Sequence, residues 1–210
     1  MVTREQTVRR RKVRSRGRRT PGQWSTQFAL FAECLLTGVW FTVAALPIVT
    51  VPAALAASAR HLSAFVDGTP SSLGDFVGDL RTAVREGWRA GAAVIGCAAL
   101  LALDLAVLAQ EGVPGRSQMA LLTLMVTALA ATVLLRAAAA WEPGENWRGL
   151  FAVAVDDTRR DLSGTGILLG GLAVLLACMW ALPILFMPMS GCVVGAAVAV
   201  RRRRLHRTEG

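Results

Sequence analysis

Leu46-Pro47-Ile48-Val49-Thr50-Val51-Pro52 interrupts an apolar run that begins near Phe28, and Leu182-Pro183-Ile184-Leu185-Phe186-Met187-Pro188 interrupts a second one that begins near Ile167. Each copy puts two prolines, Pro47 with Pro52 and Pro183 with Pro188, five positions apart in hydrocarbon-like sequence. Proline has no backbone N–H and its ring clashes with the preceding turn, so a helix kinks or ends there unless neighbouring protein satisfies the freed carbonyls. Both copies are read as breaks in membrane helices.

Two further runs need no interruption: Ala90 to about Ala109 and Met119 to about Ala140 are each close to the ~20 residues that cross a bilayer. The run from Ile167 to Val200 is too long for one crossing; cut at Pro183, each arm is just long enough. The arm after the first break, Val51 to Ala59, is shorter, and is expected to re-enter the bilayer or lie at its surface. With 54% hydrophobic residues and mean hydropathy +0.48, these runs define an all-α, polytopic helical membrane protein. It has four to six membrane-embedded helices, two of them proline-broken. One membrane domain over 23–200 is expected, between a basic tail at 1–22 and another at 201–210.

Amphipathic stretches separate the runs. After the helix-capping Ser72, residues Leu73, Phe76, Leu80, Val84 and Trp88 recur at helical spacing opposite Asp75, Asp79, Arg81, Arg85 and Glu86. After Asn146, Leu150, Phe151, Ala154, Val155 and Leu162 oppose Asp156, Asp157, Arg159, Arg160 and Asp161. Both are expected to be interfacial helices. The first has a nearly neutral polar face. Anionic headgroups repel carboxylates, so its apolar line is expected to dock a partner; packing on the protein's own spans is the competing reading.

The net charge of +9 is concentrated at the ends. The 1–22 segment has one acid, no apolar period and no aromatic between its arginines. It is expected to be disordered and to meet anionic lipid headgroups; no nucleic-acid partner is expected. A cleaved signal peptide, with a small-residue site at Ala54 to Ala59, is the competing reading, and the runs downstream favour an uncleaved span. If both breaks return the chain to the side it came from, one side holds all but two of the 23 basic residues, leaving Arg116 opposite and Arg136 inside a span. The positive-inside rule then puts both termini and both amphipathic loops in the cytoplasm of a cell with this protein in its inner (plasma) membrane. Trp24, Trp88 and Trp141 fall at the same interface.

Three ionisable residues lie inside apolar runs: Glu33, Asp104 and Arg136. Each costs at least ~2.5 kcal/mol at the bilayer centre unless paired or wet. Similar depths suggest a Glu33–Arg136 ion pair, with Asp104 in the other half, near water or bonded to a neighbouring helix. Gly166-x-x-x-Gly170 and Gly191-x-x-x-Gly195 permit close helix approach within the chain. Cys34, Cys97, Cys178 and Cys192 sit singly in apolar runs and suggest neither disulfide nor metal. No catalytic set, phosphate loop or cofactor motif appears, so no enzyme is expected.

The order of an apolar run with Trp40, then Leu46-Pro47-Ile48-Val49-Thr50 and Pro52-Ala53-Ala54-Leu55-Ala56, the Phe76 helix, and a span with Asp104-Leu105 resembles the YesL-like family of bacterial integral membrane proteins over about Phe28 to Leu108. The resemblance implies a polytopic inner-membrane protein, often associated with carbohydrate-uptake systems of the binding-cassette type, without an established activity. The expected role is an accessory, partner-binding component, with a transporter as the possible partner. The alternative is a small-solute or ion transporter or channel that uses Glu33, Asp104 and Arg136.

Overall fold

The structure, a computed structural model, describes residues 23–108, 110 and 115–208. The basic tail 1–22 and the tip of the C-terminal tail lie outside them, as do the side chain of Trp24 and the headgroup contacts expected of the N-terminal tail. Among the described residues there is no strand. Seven helices follow one another: α1 (Gln23–Ala44), α2 (Val51–Val66), α3 (Leu73–Leu108), α4 (Arg116–Ala140), α5 (Trp147–Arg160), α6 (Leu162–Ala181) and α7 (Phe186–Thr208). All but α5 are long and apolar enough to cross a membrane, so the protein is an all-α, polytopic fold.

Both proline stretches end one helix and start another through a short 3-10 turn, Ile48–Thr50 and Pro183–Leu185. The first break supplies its own replacement donor. The Thr50 hydroxyl faces the Ala44 carbonyl at 2.5 Å, which the broken ladder leaves free, and the Pro47 carbonyl at 2.6 Å, which also accepts the Thr50 N–H at 2.8 Å. Pro52 then falls in the first turn of α2, where its missing N–H is harmless. The second break stops α6 with the Leu182 N–H still bonded to the Cys178 carbonyl at 2.8 Å.

Two expectations change here. The arm after the first break is neither short nor peripheral: α2 runs to Val66 and is the most enclosed helix, touching α1, α3, α4 and α7. Its run of Ala53, Ala54, Ala56, Ala57 and Ala59 lets four neighbours approach closely. The first amphipathic stretch is also not a separate interfacial helix. Ser72 caps it as expected, its hydroxyl accepting from the Asp75 N–H at 3.3 Å while the Asp75 carboxylate accepts from the Ser72 N–H at 2.8 Å. With neither Pro nor a positive-φ Gly between Trp88 and Ala90 to break it, the helix continues straight into the next apolar run. The second amphipathic stretch is the separate helix α5, capped by Asn146, whose side chain accepts from the Arg148 N–H at 3.1 Å.

The closest packing is between α1 and α7, which run antiparallel. A Cβ on Gly191 would lie 1.8 Å from the Cys34 carbonyl oxygen, and one on Gly38 would lie 2.3 Å from that of Met187. Of the two small-residue motifs, Gly191-x-x-x-Gly195 therefore packs within the chain. Gly166 and Gly170 meet nothing within 4 Å.

Gly191→Val is expected to destabilise the protein by several kcal/mol, because the obstacle is backbone and cannot swing aside. Gly166→Ala should leave it within about 0.5 kcal/mol. Thermal melting in mild detergent checks both, and equal melting of the two variants would remove the α1–α7 contact.

Candidate functional site

The charged residues collect at one end of the bundle, where α2, α4 and α7 finish and α3 and α6 begin. Arg60 reaches Asp79 at 3.0 Å, Arg202 reaches Asp67 at 2.8 Å, Arg201 reaches Glu142 at 3.5 Å, and Arg204 pairs with Asp157. Arg201 also donates to the Ala139 carbonyl at 2.7 Å and Arg202 to the Ser63 carbonyl at 3.0 Å, satisfying exposed helix ends. The hydrogen bond from Arg202 holds the Asp67 carboxyl below its ordinary 3.8. Trp141 lies at this end too, with the Arg60 guanidinium 6.0 Å from its ring, whereas Trp88 lies further along α3, one turn before Gly91, which packs on Val49 at the first break.

Just inside this end is a chain of three polar side chains. His61 is buried on α2; its Nε2 is 2.7 Å from a Glu33 carboxylate oxygen on α1, and its Nδ1 is 2.7 Å from the Ser71 hydroxyl. Trp40 covers the imidazole at 4.8 Å between ring centroids and touches Phe76 at 5.5 Å. Ser71 lines a cleft of about 410 Å³ together with Arg60, Asp75 and Asp79. With Nε2–H donating to Glu33, Nδ1 accepts from Ser71, and the three groups form a path along which a proton can move between the cleft and α1. In serine hydrolases the carboxylate sits on Nδ1 and the serine on Nε2; here the order is reversed.

The suggested Glu33–Arg136 pair is not formed, because each residue has another partner. Arg136, 8% exposed, donates from Nη2 to the Asp161 carboxylate at 3.3 Å, the Asp161 carbonyl at 3.3 Å and the Thr165 hydroxyl at 3.2 Å. The Thr165 hydroxyl in turn donates to the Thr158 carbonyl at 3.0 Å, so this network ties α4 to α5 and α6. Asp104 is bonded to a neighbouring helix, one of the two outcomes expected: it accepts a hydrogen bond from Thr123 across the α3–α4 hairpin. Glu33, Asp104 and Arg136 thus lie in three separate places. Pro47, Pro52, Pro183 and Pro188 are at or beside the two breaks.

The five residues assigned to a docking face divide. Phe76 is buried, and Leu80 and Val84 pack on the core, as the competing reading had it. Leu73, in the first turn, and Trp88 are left uncovered at 54% and 60% exposed, and with the exposed Val77, Arg81 and Arg85 they run along the flank of the covered face. Ser71, His61 and Asp161 were missed as partners. The usable signal was position: Glu33 and His61 are equidistant from Pro47, so a hairpin at the break brings them together.

These features define a polytopic helical membrane protein with a charged end closed by ion pairs between helices. No family model, curated protein or solved structure matches the chain.

Glu33→Gln and His61→Gln should each destabilise the protein, and combined they should lose clearly less than the sum. Glu33→Gln with Arg136→Gln should be additive within about 0.5 kcal/mol. A double-mutant cycle on unfolding midpoints separates the two pairings. At Asp67 the carboxyl is depressed in the folded state, so its contribution is complete above its ordinary range and is lost as pH falls through the lowered value. The melting difference between wild type and Arg202→Gln should therefore shrink between pH 7 and pH 3.

Proposed function

We propose that this protein is an accessory component of the plasma membrane, without catalysis of its own, and that it docks a membrane partner on the outward stripe Leu73, Val77, Arg81, Arg85 and Trp88. One observation carries the proposal. α3 is 36 residues long, about 54 Å, against the ~30 Å of hydrocarbon it has to cross. Its second half is almost wholly apolar, and six of its seven charges lie between Asp75 and Arg89. The surplus length falls on the charged half, which lies alongside α2 up to Gly91 at the first break, and on this reading it stands outside the hydrocarbon together with the part of α2 it packs on. Its inner face is held by α2 and α1, and its acids are engaged within the chain: Asp75 by Ser72, Asp79 by Arg60, and Glu86 by the Gly144 N–H at 3.0 Å. Arg81 and Arg85 have no carboxylate partner among the described residues. The outward stripe is thus cationic with apolar anchors, which suits an acidic, partly apolar protein surface.

The concentration of basic residues at this end supports a cytoplasmic location for it, with anionic headgroups beside it. The resemblance to the YesL-like family supports a carbohydrate-uptake transporter of the binding-cassette type as the partner. A photo-crosslinking residue at Val77 or Arg81 should capture a transporter subunit in cells, whereas one at Ile95, in the apolar half, should capture lipid. Arg81→Glu with Arg85→Glu should abolish the protein crosslink at unchanged melting temperature. Lipid adducts alone from all three positions would overturn the reading.

The Glu33–His61–Ser71 chain favours a second reading, proton-coupled transport. Liposomes holding the wild-type protein would then dissipate an imposed pH gradient faster than those holding Glu33→Gln or His61→Gln; equal rates would discard it.

A further inference from the structure

The corner where α5 ends, α6 begins and α7 leaves the bundle holds a second cleft, of about 160 Å³, lined by Arg160, Asp161, Gly164, Val200, Arg203 and Arg204. We propose that it is a binding site for the phosphate of an anionic phospholipid headgroup.

Charge is the first argument. Both oxygens of Asp161, the lining carboxylate, already have donors: one accepts from the Gly164 N–H at 3.0 Å and the other from Arg136 at 3.3 Å. Two lining arginines have acidic partners behind them, since Arg160 uses its Nε to reach Asp156 at 2.8 Å and Arg204 uses Nη1 to reach Asp157. Each keeps other N–H groups for a ligand. Among the described residues Arg203 has only the uncharged Ser163 hydroxyl, at 3.5 Å. Three arginines thus face three carboxylates, of which Asp161 is answered by the buried Arg136. The excess cation is Arg203. Planar guanidinium forks are suited to phosphate oxygens.

Depth is the second argument. Gly164 lies one turn before Ile167, where the apolar part of α6 begins and exposed apolar side chains resume. This is the level at which a lipid phosphate sits when its acyl chains run alongside the span. The cleft has room for a phosphate and several waters.

The test uses the full chain in a neutral detergent, titrated with phosphatidylglycerol, phosphatidylcholine or sodium phosphate, with the melting temperature as readout and lipid adducts counted by native mass spectrometry. Phosphatidylglycerol should raise the melting temperature and phosphatidylcholine should not. Arg203→Gln, which removes the least internal bonding, should weaken the phosphatidylglycerol effect about tenfold, the loss of one charge-assisted hydrogen bond. Arg160→Gln, on an exposed pair, should do the same by adduct count. Changing the basic residues of 1–22 to Gln should leave the effect intact. An undiminished effect in both arginine variants, or its loss in the tail variant alone, overturns the site. If sodium phosphate stabilises as well as the lipid does and displaces it, the site belongs to free phosphate and the lipid assignment falls.

Discussion

In hydrocarbon there is no water to take up an unmet backbone N–H or C=O, and every break in a membrane helix must be answered from within the chain. The two Leu-Pro stretches of this protein are organised by that constraint. At the first, Thr50 brings a hydroxyl to the carbonyls of Ala44 and Pro47. At the second, the chain tightens into a 3-10 turn before α7 starts. With these groups satisfied, the proline pairs act as hairpin bends. α1 can then lie antiparallel to α7 at the glycine contact of Gly38 and Gly191, and α2 can turn back into the middle of the bundle.

Once the bends return the chain to its starting side, the charges have to be managed at one end. The structure does so with ion pairs that join elements distant in sequence, such as Arg202 with Asp67 and Arg204 with Asp157. Most are partly exposed and individually contribute little. Their value is geometric, because two of the arginines, Arg201 and Arg202, also reach helix-end carbonyls and hold α2, α4 and α7 in register. Arg136 is different: it is buried, and removing Asp161 alone would leave a charge without its partner, at a cost of several kcal/mol.

Much of this was legible in the residues. Apolar run length located the spans, proline located the breaks, and Ser72 and Asn146 announced helix starts that the structure confirms. What could not be read was partner choice. Depth along an axis is one coordinate, and Glu33 and Arg136 agree in it without agreeing in azimuth. The symmetry of Glu33 and His61 about Pro47 carried the missing information, but His61 looks like an edge residue until the arm after the break is known to be a full helix. The apolar line of α3 likewise announced an amphipathic helix without saying which neighbour would cover it. That neighbour was α2, expected as a minor arm.

The covering of Phe76 by Trp40 and the core changes what the exposed half of α3 can do. A helix whose apolar line were free would float on lipid or dock by burying that line. With the line used internally, the helix is fixed as a rigid extension of its span, and its remaining face acts at a set height and angle. Rigidity lowers the ordering cost of any association on that face, so a modest stripe of two arginines between apolar anchors can suffice for binding where a flexible loop of the same composition would not. The same logic applies to the α5–α6–α7 corner. There the ion pairs to Asp156 and Asp157 hold Arg160 and Arg204 before a ligand arrives, and a small anion would need only to order Arg203 and displace water.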